Sequence, residues 1–116
     1  MDYGLAYELA HLIEASAPYQ ELKGIYQRIA DDETSKAMLR DLRELEVALQ
    51  LKQLSGEAPS VEDEQRYHRL VDTVRLNPEI DRLLLLEHEL AMIYEDIQKI
   101  LAEPFNRLAH FMDEGS

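Results

Sequence analysis

The chain has no cysteine and no tryptophan, and only four glycines and four prolines among its 116 residues. The lack of thiols excludes disulfides, thiolate nucleophiles and cysteine-ligated zinc or iron–sulfur clusters. Gly4, Gly24, Gly56 and Gly115 are scattered, so there is no glycine-rich loop to cradle a phosphate. Strand-building runs of Val, Ile and Thr are scarce. The apolar run Leu83 to Leu86 is bounded by Arg82 and Glu87. It is far shorter than the roughly 20 residues that a membrane helix needs, and no membrane insertion is expected. Met1-Asp2-Tyr3-Gly4 is not followed by a basic region and an apolar stretch, so no secretory signal is read and a cytoplasmic location is expected.

Positive charge is also in short supply. Twelve Lys and Arg face 24 Asp and Glu, a formal net charge of −12. A field of that sign repels phosphate backbones and anionic lipid, so no direct nucleic-acid binding is expected. It suits a basic partner, or serves to keep an apolar-faced helical protein soluble.

What is present favours helix. Ala, Leu, Glu, Gln and Arg dominate, and 46% of residues are hydrophobic against 31% charged. A chain of this length buries roughly two thirds of its unfolded surface. One all-helical domain over residues 1–116 is therefore expected, with 113–116 as a frayed tail. Leu83, Leu86, Leu90, Ile93, Ile97 and Ile100 alternate spacings of three and four, the seam of a helix that packs along another helix. Leu76 continues the phase upstream, and Ile80, Leu84, Ala91, Tyr94, Leu101 and Phe105 form a second row beside it. One stripe can be buried within a small fold. Two adjacent stripes point to a partner as well, so the six seam residues are the expected oligomer or partner interface.

The remaining periodicity predicts a bundle of about five helices with coiled-coil-like packing. Leu5, Leu9, Leu12 and Ile13 mark the first, and Pro18 opens a second that carries Leu22, Ile25, Tyr26 and Ile29. Asp32 is a suitable N-cap for a long third helix over about 33–55, with Met38, Leu42, Leu45 and Leu49 as its seam. Gly56 and Pro59 punctuate its end. Ser60 and Asp63 stand at capping-box spacing before a fourth helix bearing Tyr67, Leu70, Val71 and Val74. Asn77-Pro78 opens a long fifth helix over about 78–102. Pro104 removes a backbone donor and predicts a kink or break, followed by a short segment with Phe105, Leu108, Ala109 and Met112.

Catalytic signals are weak. Glu8 and His11 form one Glu-x-x-His, whereas carboxylate-bridged di-metal bundles use two such motifs with two further glutamates. These two residues are first candidates for an alternative reading, a metal-carboxylate bundle enzyme or storage protein. Glu64, His68 and Asp72 also share a face, whereas consecutive Glu87-His88-Glu89 point about 100° apart and cannot converge locally. The serines sit at helix ends, first turns or the tail, where capping accounts for several. The six tyrosines lack interleaved basic residues and suit helix packing. Gln50, Lys52, Gln53 and Ser55, with Asp96, Gln98 and Lys99, form polar clusters. They read as wet, register-setting faces or as a docking surface.

The block Leu49-Gln50-Leu51-Lys52-Gln53-Leu54-Ser55-Gly56, then Asn77-Pro78, Asp96-Ile97-Gln98-Lys99-Ile100 and Glu103-Pro104, resembles the YheA/YmcA/YlbF family of small bacterial helical proteins. Order and spacing match over nearly the whole chain, and the YheA-type branch, of uncharacterised function, is the most similar. Glu33 stands where the family often has proline. The resemblance implies an all-helical fold, frequent dimerisation, no established catalytic residues and no cofactor. Through the YlbF and YmcA branches it also implies a link to RNA processing. The metal–sulfur chemistry associated with those branches has no cysteine here to carry it. The expectation is a non-catalytic cytoplasmic interaction protein, a homo-oligomeric adaptor or regulator with a dimer favoured, or a purely structural oligomer.

Overall fold

Five helices form where apolar residues recur at helical spacing: α1 (Gly4–Ala15), α2 (Ala17–Ala30), α3 (Glu33–Leu54), α4 (Val61–Arg75) and α5 (Pro78–Glu114). The computed structural model describes residues 1–114, and no strand occurs among them.

Local chemistry sets the boundaries. Ser16 is extended (ψ 150°) between α1 and α2, and its hydroxyl donates to the Ile13 carbonyl at 2.6 Å. The Asp32 carboxylate accepts from the Thr34 amide and the Ser35 hydroxyl, which holds its pKa below the ordinary value. Gly56 ends α3 at φ 78°, a left-handed conformation that glycine adopts without the strain a Cβ would add. The Glu57 amide then reaches back to the Lys52 carbonyl at 2.9 Å, the six-to-one bond of a Schellman turn. Ser60 and Asp63 complete a reciprocal capping box at α4, and Asp63 also pairs with Lys52 across the α3–α4 connection. The Asn77 side chain accepts from the Glu79 and Ile80 amides at the start of α5.

The capping box yields a first prediction. Ser60→Ala removes the acceptor for the Asp63 amide and is expected to cost about 1 kcal/mol, read as a lower urea midpoint with unchanged slope.

The core is small and lies where α2, α3, α4 and the N-terminal half of α5 meet. Leu22, Ile25 and Ile29 of α2, Leu42 of α3, Val74 of α4 and Ile80, Leu83 and Leu86 of α5 form its buried cluster. Met38, Leu39, Tyr67, Leu70, Val71, Leu84 and Leu90 pack around it. Ser35, the one buried polar residue among those described, accepts a hydrogen bond from the Asn77 side chain at 3.0 Å. That bond ties the start of α3 to the α4–α5 turn. Helix α1 packs on α2 but buries none of its residues: Leu5 and Leu12 are exposed, and Leu9 and Ile13 half-buried.

The shape follows from α5. Its 37 residues, at about 1.5 Å each, account for the 55 Å longest dimension. The radius of gyration is 19.6 Å, against about 13 Å for a compact chain of this length. Expectations for α5 are corrected here. Helix α5 does not end near 102 but runs through Pro104 to Glu114. The imide removes one hydrogen bond, to the Ile100 carbonyl, while apolar residues keep helical spacing beyond it and neighbouring turns supply the rest. Of the expected tail, 113 and 114 belong to α5, and Gly115 and Ser116 lie outside the described residues. Leu76 does not extend the α5 seam, because it caps α4 and is 84% exposed.

Candidate functional face on the distal half of α5

The proximal half of α5 is held by polar clasps as well as by the core. Arg82 donates from two nitrogens to the two carboxylate oxygens of Glu21 at 2.7 and 2.8 Å. That fork keeps the Glu21 pKa below, and the Arg82 pKa above, the ordinary values. Arg28 pairs with Glu79. Glu87 accepts from both the Tyr26 hydroxyl and Arg43, joining α2, α3 and α5. Burial first, then the Glu87 carboxylate, pushes the Tyr26 phenol up to about 12. Burial works against the Arg43 charge, but Glu87 outweighs it and the guanidinium pKa rises. These clasps reach α5 at Glu79, Arg82 and Glu87, all N-terminal to Leu90.

Beyond Leu90 the apolar surface continues with only partial cover. The expected interface is thereby divided. Leu83 and Leu86 are buried inside the chain, and Leu90 packs on the core. Ile93 and Ile97 are half-buried, and Ile100 is exposed. The larger exposed surface falls on the second row and its continuation: Tyr94 at 63%, Leu101 at 61%, Phe105 at 71%, Leu108 at 66% and Met112 at 77%. Phe111, which the sequence reading did not single out, is 70% exposed. The signal for it is present, because Leu108, Phe111 and Met112 keep spacings of three and four beyond the kink or break that Pro104 predicts.

Charge is sorted around this segment. At 100° per residue, Tyr94, Ile97, Leu101, Phe105, Leu108 and Met112 project within about 80° of one another. Glu95, Asp96, Lys99, Glu103, Arg107 and Asp113 fall on the opposite side, where Glu95 and Lys99 form an i,i+4 pair. A broad apolar face free of charge, on a helix that leaves the core, is suited to helix–helix association.

An apolar cavity of about 250 Å³ sits where the covered and uncovered halves of α5 meet, lined by Tyr19, Leu22, Lys23, Tyr26, Gln27 and Leu90. A second, open cleft of about 720 Å³ lies at the α3–α4 connection. Glu46, Gln50, Gln53, Glu57 and Tyr67 line it, so two members of the polar cluster at the end of α3 face a cleft. Lys52 instead pairs with Asp63, and the Ser55 hydroxyl donates back to the Leu51 carbonyl.

Glu8 and His11 share an exposed surface of α1 with Leu12 and Ala15. No group of three or more His, Asp or Glu side chains placed to hold a metal occurs among the described residues. Nor is any helix among them long and apolar enough to cross a membrane.

Comparison with known proteins agrees with the helical architecture. A family model described as "Control of competence regulator ComK, YlbF/YmcA" matches residues 3–106. A UPF0342 protein of Caldicellulosiruptor saccharolyticus is 35% identical over 101 residues, covering 87% of this chain and 84% of its own. UPF0342 protein YheA of Bacillus subtilis is 28% identical over 106 residues, 91% of each chain. Among solved structures, a protein of unknown function (DUF964) from Bacillus stearothermophilus superposes with a TM-score of 0.76 at 28% identity, covering 91% of this chain and 93% of that one. The structure of yheA from Bacillus subtilis superposes with a TM-score of 0.63 at 24% identity, covering 93% and 98%.

Proposed function

The chain belongs to the YlbF/YmcA family, whose description is control of the competence regulator ComK, and from that membership we propose that it is a non-catalytic, cytoplasmic interaction protein that self-associates through distal α5 and acts as an adaptor or regulator. The observation that carries this reading is the uncovered apolar face from Tyr94 to Met112. A monomer would leave it in water at a cost of about 25 cal/mol for each Å² of apolar surface. The core does not need it, since the buried cluster is complete by Leu86. The regulatory part of the proposal rests on the family description, and a protein partner follows from it. A link to RNA processing rests on the resemblance alone.

Co-expression of two differently tagged copies tests the self-association. Capture through one tag is expected to recover the other in stoichiometric amount after thorough washing. Recovery of the captured tag alone would contradict it.

A further inference from the structure

The exposed stripe has a symmetry of its own. Measured from Leu101, Ile97 and Phe105 lie four residues away on either side, Tyr94 and Leu108 seven, and Leu90 and Met112 eleven. A regular heptad would continue its alternation of three and four through position 101. Here two consecutive spacings of four meet at Leu101, so the pattern reads identically in both directions. Such a stripe is self-complementary when two copies run antiparallel, because a two-fold axis through Leu101 places each apolar residue level with its mirror position.

We infer that two copies pair α5 against α5, antiparallel about a two-fold axis at Leu101, with Met112 of each seated at the apolar cavity beside Leu90 of the other. The inference rests on the self-association proposed above and specifies its geometry. Three further observations support a second copy as the occupant. Tyr94, Leu101, Phe105, Leu108 and Met112 are each more than 60% exposed, an extended apolar surface of the kind that a stable interface buries. Its charged residues lie on the far side of the helix, so two chains of net charge −12 meet without opposing carboxylates along the seam. And Leu90, the position level with Met112 of the second copy, lines the 250 Å³ cavity with Tyr19, Leu22 and Tyr26. An unbranched thioether side chain fits an irregular apolar space of that size.

The absence of cysteine permits a clean test. Spin labels are placed singly on the exposed polar side of α5, by Lys99→Cys and, in a second variant, Glu89→Cys, and the distance between the two copies' labels is measured in the full chain. In the antiparallel pair the Lys99 labels are offset by about 6 Å along the axis and the Glu89 labels by about 36 Å. The Glu89 distance is therefore expected to exceed the Lys99 distance by roughly 15–20 Å once the width of two helices is included. Equal distances in a dimeric protein would show a parallel pair and overturn this inference while leaving self-association intact. A monomeric protein with no dipolar coupling at either site would overturn both.

Discussion

Replacing Leu83 by alanine is expected to destabilise the chain by about 3–5 kcal/mol, the upper part of the range for a fully buried leucine. Leu83 is 0% exposed and belongs to the cluster to which α2, α3, α4 and α5 all contribute. Truncation removes the transfer energy of the lost methyl groups and leaves a cavity between elements already fixed by the Glu21–Arg82 and Arg28–Glu79 pairs. The chain has few other buried side chains with which to repack. Typical domain stabilities are about 5–15 kcal/mol, so this single change takes a large share, and partial unfolding at 37 °C is expected. Urea unfolding followed by helical circular dichroism measures it. A loss below about 1 kcal/mol would show that the stabilising core lies elsewhere.

Leu101→Glu is expected to have the opposite profile. Leu101 is 61% exposed and outside the buried cluster, so the helical signal of the single chain should survive. Its effect falls on association, because a two-fold axis at this position brings two carboxylates together in an apolar seam. Each loses water, neither gains a counter-charge, and the effective penalty is several kcal/mol per ion. Dimer affinity is therefore expected to fall at least about 100-fold, equivalent to about 2.7 kcal/mol. Dilution series monitored by sedimentation velocity read that change, and circular dichroism separates it from misfolding. An unchanged dissociation constant in a folded variant would remove the distal face from the interface.

Much of the fold was legible because its signals are local. The Asp32 cap, the Gly56 stop, the Ser60–Asp63 box and the Asn77-Pro78 start each depend on a few consecutive residues, and each appears where the sequence places it. At Pro104 the break that the sequence allows does not occur, for a related reason. A local rule gives the cost of one missing hydrogen bond, but whether a helix survives depends on the turns around it. The division of the α5 seam was not legible at all. Leu83 and Ile100 carry the same periodic signal, yet one is fully buried and the other 61% exposed. The difference arises because the pairs and packing that join α2 to α5 fall between Glu79 and Leu90; sequence period reports that a face is apolar, not how far its neighbour extends. The weak burial of α1 has a similar origin, since its apolar spacing does not reveal that it packs on α2 alone among its stronger neighbours. The symmetry about Leu101 is written in the sequence, but it acquires meaning only once the helix is known to continue through Pro104 and to stand clear of the core.

Sedimentation equilibrium of the unaltered chain across micromolar concentrations tests the central claim, that the distal face of α5 is covered by a second copy. The expected mass is twice the 13.5 kDa of one chain, falling toward the single-chain value only on strong dilution. A constant 13.5 kDa at every concentration up to about 100 μM would contradict it, since an interface of standard size that failed to form there would not be a specific one.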